Sequence, residues 1–98
     1  MQIRQTNQGF NFDQYPTFEK DIDPKQRAWI EVNGKALETN VRQLRSKLRK
    51  NCQFMAVVKA DGYGHDAKLV SDFAIKGGAS QLGVATLKEG IKLRSAGV

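Results

Sequence analysis

A lysine stands at the end of an apolar run in "FMAVVKADGYGHD", residues 54 to 66. Two glycines, a tyrosine and a histidine follow it closely. An amine with apolar residues behind it and polar loop residues ahead is open to a particular chemistry. Burial disfavours the ammonium form. A neutral lysine amine attacks an aldehyde and holds it as a Schiff base. Pyridoxal phosphate (PLP) is the common aldehyde cofactor held in this way. The residues after Lys59 suit such a ligand. Gly62 and Gly64 let backbone approach it closely. Tyr63 can present a phenolic hydroxyl to a phosphate oxygen. A helix starting near Asp66 would aim its N-terminus at the same region, where phosphate is favoured. His65 could orient a neighbour or stabilise the turn. On spacing alone each residue also has a plainer reading. Lys59 can be a strand-end charge, Gly-Tyr-Gly a turn, and His65 a hydrogen-bonded structural residue.

The elements that would position these groups are legible in the hydrophobic pattern. "AWIEV", 28 to 32, alternates and reads as a strand. Ala36, Leu37, Val41, Leu44 and Leu48 then share one helix face, with Asn33 available as N-cap. "FMAVV", 54 to 58, is continuously apolar, like a parallel strand buried on both faces. "DAKLVSDFAIKGG", 66 to 78, puts Leu69, Val70, Phe73 and Ala74 on one face and ends in a glycine pair, a helix with its C-cap. "QLGVAT", 81 to 86, reads as another buried strand. "LKEGIKLRSAG", 87 to 97, reads as a helix with Leu87, Ile91 and Arg94 along one side. Strands alternating with helices build parallel sheets with right-handed crossovers. The fold class is therefore α/β, as an open sheet or part of a (β/α) barrel. In both, ligands sit at the C-terminal ends of the strands, where Lys59 lies.

Residues 1 to 26 read differently. They are rich in Gln, Asn and Asp, with Phe10, Phe12, Tyr15 and Phe18 scattered without period. This is expected to be a poorly ordered leader. It has neither the apolar core of a signal peptide nor a membrane span, so a soluble cytoplasmic protein is the default. Cys52 is the one cysteine, which excludes an intrachain disulfide and fits a reducing compartment. The formal charge is +6, carried largely by "RQLRSKLRK", 42 to 50. That run coincides with the outer side and C-terminal end of the first helix, where basic residues suit the helix dipole. It lacks the interleaved aromatics or zinc ligands of a nucleic-acid reader. Neither nucleic acid nor membrane is expected as a partner, and no metal site is expected.

Beyond these physical arguments, "AVVKADGYGHD" closely resembles the cofactor signature of the alanine racemases. "AWIEVNGKALETNVRQLR" and "GGASQLGVATLKEGIKLRSAGV" resemble that family's flanking passages, so the likeness covers residues 27 to 98. The resemblance implies that Lys59 forms the aldimine with PLP and serves as one of two bases that move the α-proton. It implies that Tyr63 bonds the cofactor phosphate and that Val57 lines the pocket. It further implies a (β/α)8 barrel, of which this chain carries three βα units, completed by a mostly β domain and assembled as a homodimer. The reaction would interconvert L- and D-alanine, supplying D-alanine for cell-wall peptidoglycan.

Chemistry adds a constraint. Inversion at a carbon needs a proton removed from one face and delivered to the other. Lys59 serves one face. The family's opposite base, a tyrosine from the partner subunit, has no counterpart here, since Tyr15 and Tyr63 are the only tyrosines. The chain by itself is expected not to racemise alanine, and to expose apolar edges. The alternative is a non-catalytic PLP-carrying or protein-binding remnant. Asp66 stands where the family usually has glycine. Either the position needs positive φ or Asp66 caps the following helix; the cap is preferred.

Overall fold

The computed structural model describes residues 2–5 and 28–98. The elements run β1 (Gln2–Gln5), β2 (Trp29–Val32), α1 (Gly34–Ser46), β3 (Met55–Val57), a single helical turn α2 (Lys59–Gly64), α3 (Ala67–Gly77), β4 (Gln81–Gly83) and α4 (Leu87–Ser95). Among the described residues all strand pairing is parallel. β1 pairs with β2, and β3 pairs with β4 with Val57 opposite Gly83. β2 is not joined to β3, so the three strands read from the sequence form no single sheet among the described residues. Instead Val32, at the end of β2, packs on Leu69 and Phe73 of α3. That contact turns β2 toward a helix and away from β3. β1 falls inside the segment expected to be a leader; residues 6–27 lie outside the described residues.

Helices α1 and α3 form the packed centre. Asn33 caps α1, its side chain accepting from the Ala36 N–H at 3.0 Å, as its residue type and place require. Val41 of α1 meets Ala74 of α3 and Ala79 beyond it, with Leu37, Phe54 and Ala56 around them. The helices approach closely because Gly77 lacks a side chain. A Cβ there would lie 2.7 Å from both the Glu38 carbonyl oxygen and the Val41 Cβ. Glu38 is buried on this face, 8% exposed, and its carboxylate pairs with Lys35 at 3.1 Å and with Arg42. The Lys35 hydrogen bond and then the Arg42 one hold its carboxyl below the usual range, while desolvation acts the other way. Arg42, part of the basic run, is thus an ion-pair partner on the helix surface. Ala36 and Leu44 are exposed, so the inner face of α1 is rotated toward Gly34, Glu38 and Val41.

At the C-terminus of α3, Gly78 adopts φ +113°, the left-handed stop expected of the glycine pair. Helix α4 opens with a capping box. The Thr86 hydroxyl accepts from the Glu89 N–H at 3.2 Å, and the Glu89 carboxylate accepts from the Thr86 N–H at 3.2 Å. The buried residue of α4 is Leu93, while Leu87 and Ile91 are exposed. This reverses the face expected from the sequence. β3 likewise departs from full burial: Met55 and Val57 are about half exposed, at 53% and 50%, whereas Val58 just beyond is 1% exposed. With Val84, Leu87 and Ile91 they make the apolar exposure expected of an open sheet edge. No helix among the described residues is long and apolar enough to cross a membrane.

Candidate active site

The segment that carries Lys59 is a left-handed turn. Ala60, Asp61, Gly62 and Tyr63 have φ between 51° and 63° and ψ between 36° and 48°. L-residues avoid this region because Cβ crowds the following carbonyl, at roughly 1–2 kcal/mol per residue. Local hydrogen bonds hold it. The Gly62 N–H donates to the Val58 carbonyl at 2.9 Å, and the His65 N–H to the Gly62 carbonyl at 3.2 Å. Asp61 Oδ1 accepts from the Ala67 N–H at 3.0 Å, tying the turn to the start of α3. His65 Nδ1 lies 3.0 Å from the Gly62 carbonyl oxygen, a bond that needs the hydrogen on Nδ1. Of the two roles considered for His65, this is the turn-stabilising one.

Gly62 is buried at φ +63°, and a Cβ there would stand 3.1 Å from Val70 Cγ2. Space and backbone both ask for glycine. Asp66 combines the two explanations that the sequence set against each other. Its φ is +70°, and its Oδ1 caps α3 by accepting from the Leu69 N–H at 3.1 Å.

Lys59 and Tyr63 come together just past the end of β3, whose last residue is Val57. Lys59 Nζ lies 6.0 Å from the centroid of the Tyr63 ring. Lys59 and Tyr63 are exposed, and neither side chain hydrogen-bonds to another described residue. The burial expected around the lysine amine is therefore not present: apolar residues lie behind it, at Val58 and in β3, but its head is open. Val57 is exposed two residues before Lys59.

One residue of the site went unnoticed in the sequence. Glu89, in the first turn of α4, reaches back across the chain. Its Oε1 accepts from the Ala60 N–H at 2.9 Å, and its Oε2 accepts from the N–H groups of Ala85, at 2.7 Å, and Thr86. Those bonds, Ala85's foremost and Ala60's next, hold its carboxyl below the usual range; desolvation opposes them, and the Lys59 ammonium adds to the lowering. The capping-box pattern Thr-x-x-Glu at 86 to 89 was the available signal.

Comparison with known proteins now bears on this geometry. Residues 32–98 match the family model described as alanine racemase, N-terminal domain. The chain belongs to the alanine racemase family. It is 54% identical over 77 residues to an alanine racemase of Prochlorococcus marinus, and 56% identical over 73 residues to one of Nostoc sp.. These alignments take in 79% and 74% of this chain but 20% and 19% of the relatives. The chain thus spans about a fifth of the length of the racemases it matches. Among solved structures, alanine racemase from E. faecalis superposes with a TM-score of 0.67 at 43% identity, over 68% of this chain and 18% of that one. The Bacillus anthracis enzyme, solved with bound L-Ala-P, gives a TM-score of 0.65 at 37% identity, over 66% of this chain and 17% of that one. The family likeness read from residues 27 to 98 therefore holds, and the parallel α/β character with it.

Proposed function

We propose that this chain supplies the PLP-holding segment of an alanine racemase, with Lys59 as the residue that captures the cofactor. What supports the reading is the placing of an exposed amine beside an exposed phenol, on a hydrogen-bonded turn at the C-terminal end of a parallel strand. These residues fit PLP. The Lys59 amine would meet the aldehyde, the Tyr63 hydroxyl would donate to a phosphate oxygen, and Val57 would offer apolar surface on the approach. Bound there, PLP supplies an electron sink that acidifies the α-hydrogen of alanine. With the amine of alanine in place of its own on the aldehyde, the freed Lys59 amine would take or return the proton at that carbon from one face. The left-handed turn fixes where its amine emerges from β3.

Inversion needs a second acid–base group on the opposite face. By the family resemblance that group comes from a partner subunit, in a homodimer whose barrel this segment begins. The 98 residues alone bind PLP without racemising alanine in this reading. The substrate is alanine, the compartment the cytoplasm, and the product serves peptidoglycan synthesis. The test is PLP titration followed by absorbance. The wild-type chain should develop the visible band of lysine-bound PLP, Lys59→Ala should lose it, and Tyr63→Phe should weaken apparent affinity several-fold. Equal bands in wild type and Lys59→Ala would overturn the assignment.

A further inference from the structure

Strands β3 and β4 separate just where the reactive lysine emerges. Their last backbone hydrogen bond runs from the Val58 N–H to the Gly83 carbonyl at 2.8 Å. Continued in the same register, the parallel ladder would next join the Ala85 N–H to the Val58 carbonyl, and then the Ala60 N–H to the Ala85 carbonyl. The left-handed turn takes Ala60 out of that ladder. The Glu89 carboxylate stands in its place, one oxygen on the Ala60 N–H and the other on the Ala85 and Thr86 N–H groups. Residues 29 positions apart are thereby joined through one side chain.

Resting on the reading of Lys59 as the PLP-holding residue, we propose that Glu89 is a positioning residue for it: its carboxylate replaces the missing rung of the β3–β4 ladder and fixes the backbone beside Lys59. Two acceptor oxygens on one planar group are what the geometry uses. Gln offers one oxygen and an NH2 that cannot accept from a second N–H. Ala offers neither. Glu89 also caps α4, so a loss on its removal could come from the helix alone. Thr86 separates the two roles. Its hydroxyl accepts from the Glu89 N–H and supports the same helix start, but it makes no hydrogen bond to Ala60.

The experiment compares the full chain with Glu89→Gln, Thr86→Ala and Lys59→Ala. The first readout is amide hydrogen exchange at Ala60 without PLP. The second is the rate at which PLP becomes covalently attached, trapped by borohydride and weighed by mass spectrometry. Glu89→Gln should speed exchange at Ala60 tenfold or more and slow attachment at Lys59 by a similar factor. Thr86→Ala should leave both within about twofold of wild type. Unchanged Ala60 exchange in Glu89→Gln would overturn the proposal. So would equal loss of attachment in Thr86→Ala, which would make Glu89 a helix cap and nothing more. If Lys59→Ala takes up PLP as wild type does, the function assigned to Lys59 fails instead. The exchange at Ala60 then still decides whether Glu89 holds the turn.

Discussion

Helix pair α1–α3 and the stretch from β3 through α2 lie side by side in one small chain, yet they treat the backbone differently. Where the two helices pack, they follow local rules: Asn33 starts α1, Gly78 stops α3, and Gly77 sits where the helices touch. The site stretch breaks those rules repeatedly. Ala60, Asp61 and Tyr63 take positive φ, and so does Asp66 beside them. Such strain persists where surrounding contacts over-determine it, and it gathers at functional sites. Here the bonds of Asp61 to Ala67, Gly62 to Val58 and Glu89 to Ala60 do the holding. The packed helices provide the rigid wall, through Gly62 against Val70 of α3.

Perturbing each region should separate the two regimes. The largest stability effect is expected at the helix contact. Gly77→Ala would drive a Cβ into the Glu38 carbonyl and Val41, which cannot swing aside as a flexible side chain would. A loss of about 1–3 kcal/mol is expected for such overpacking, read from the urea midpoint at unchanged slope. A neutral result would mean that α1 and α3 can part without cost. Ala60→Gly should move the other way and by less. Relief of left-handed strain, roughly 1–2 kcal/mol, exceeds the roughly 0.5–1 kcal/mol of extra backbone entropy that glycine loses. A net gain between about zero and about 1.5 kcal/mol follows, and a clear loss would show that the turn is not strained at that residue.

Acid sharpens the same contrast at the smallest scale. Glu89 has its carboxyl lowered from the ordinary 4.5 in the folded chain. Its bonds to the turn are therefore complete above the unfolded carboxyl's range and fade as pH falls through the folded value. Amide exchange at Ala60, corrected for the intrinsic pH dependence, should lose protection on acidification in that window. Val58, whose N–H bonds to a backbone carbonyl, should keep its protection there. Glu38 carries a lowered carboxyl for a different reason, its Lys35 and Arg42 partners, so α1 loosens in acid as well. Equal protection at Ala60 and Val58 across that range would contradict the role given to Glu89.

The regular parts were legible because local signals specify them. Asn33, the glycine pair at 77 and 78, and the apolar runs of β3 and β4 each carry their own cause. Resemblance to the racemases was legible because Lys59, Tyr63 and His65 stand at a distinctive spacing. Three things were hidden. β2 turned to α3 through Val32, a tertiary choice that alternation along 28 to 32 does not encode. Helix α4 buried Leu93 in place of Leu87 and Ile91, because a short amphipathic helix admits more than one face. The left-handed turn needed four residues to act together, and only Gly62 among them advertises positive φ by type. Asp66 shows the limit from the other side. Glycine-like backbone and capping carboxylate were read as alternatives, and one residue does both.

Site mapping tests most directly whether Lys59 is the group that captures PLP. The chain is incubated with PLP, reduced with borohydride, digested, and every lysine-bearing peptide is quantified. Attachment at substoichiometric PLP should concentrate on the peptide holding Lys59, ahead of Lys68, Lys76 and the other surface lysines. Attachment spread over the lysines in proportion to their exposure would contradict it.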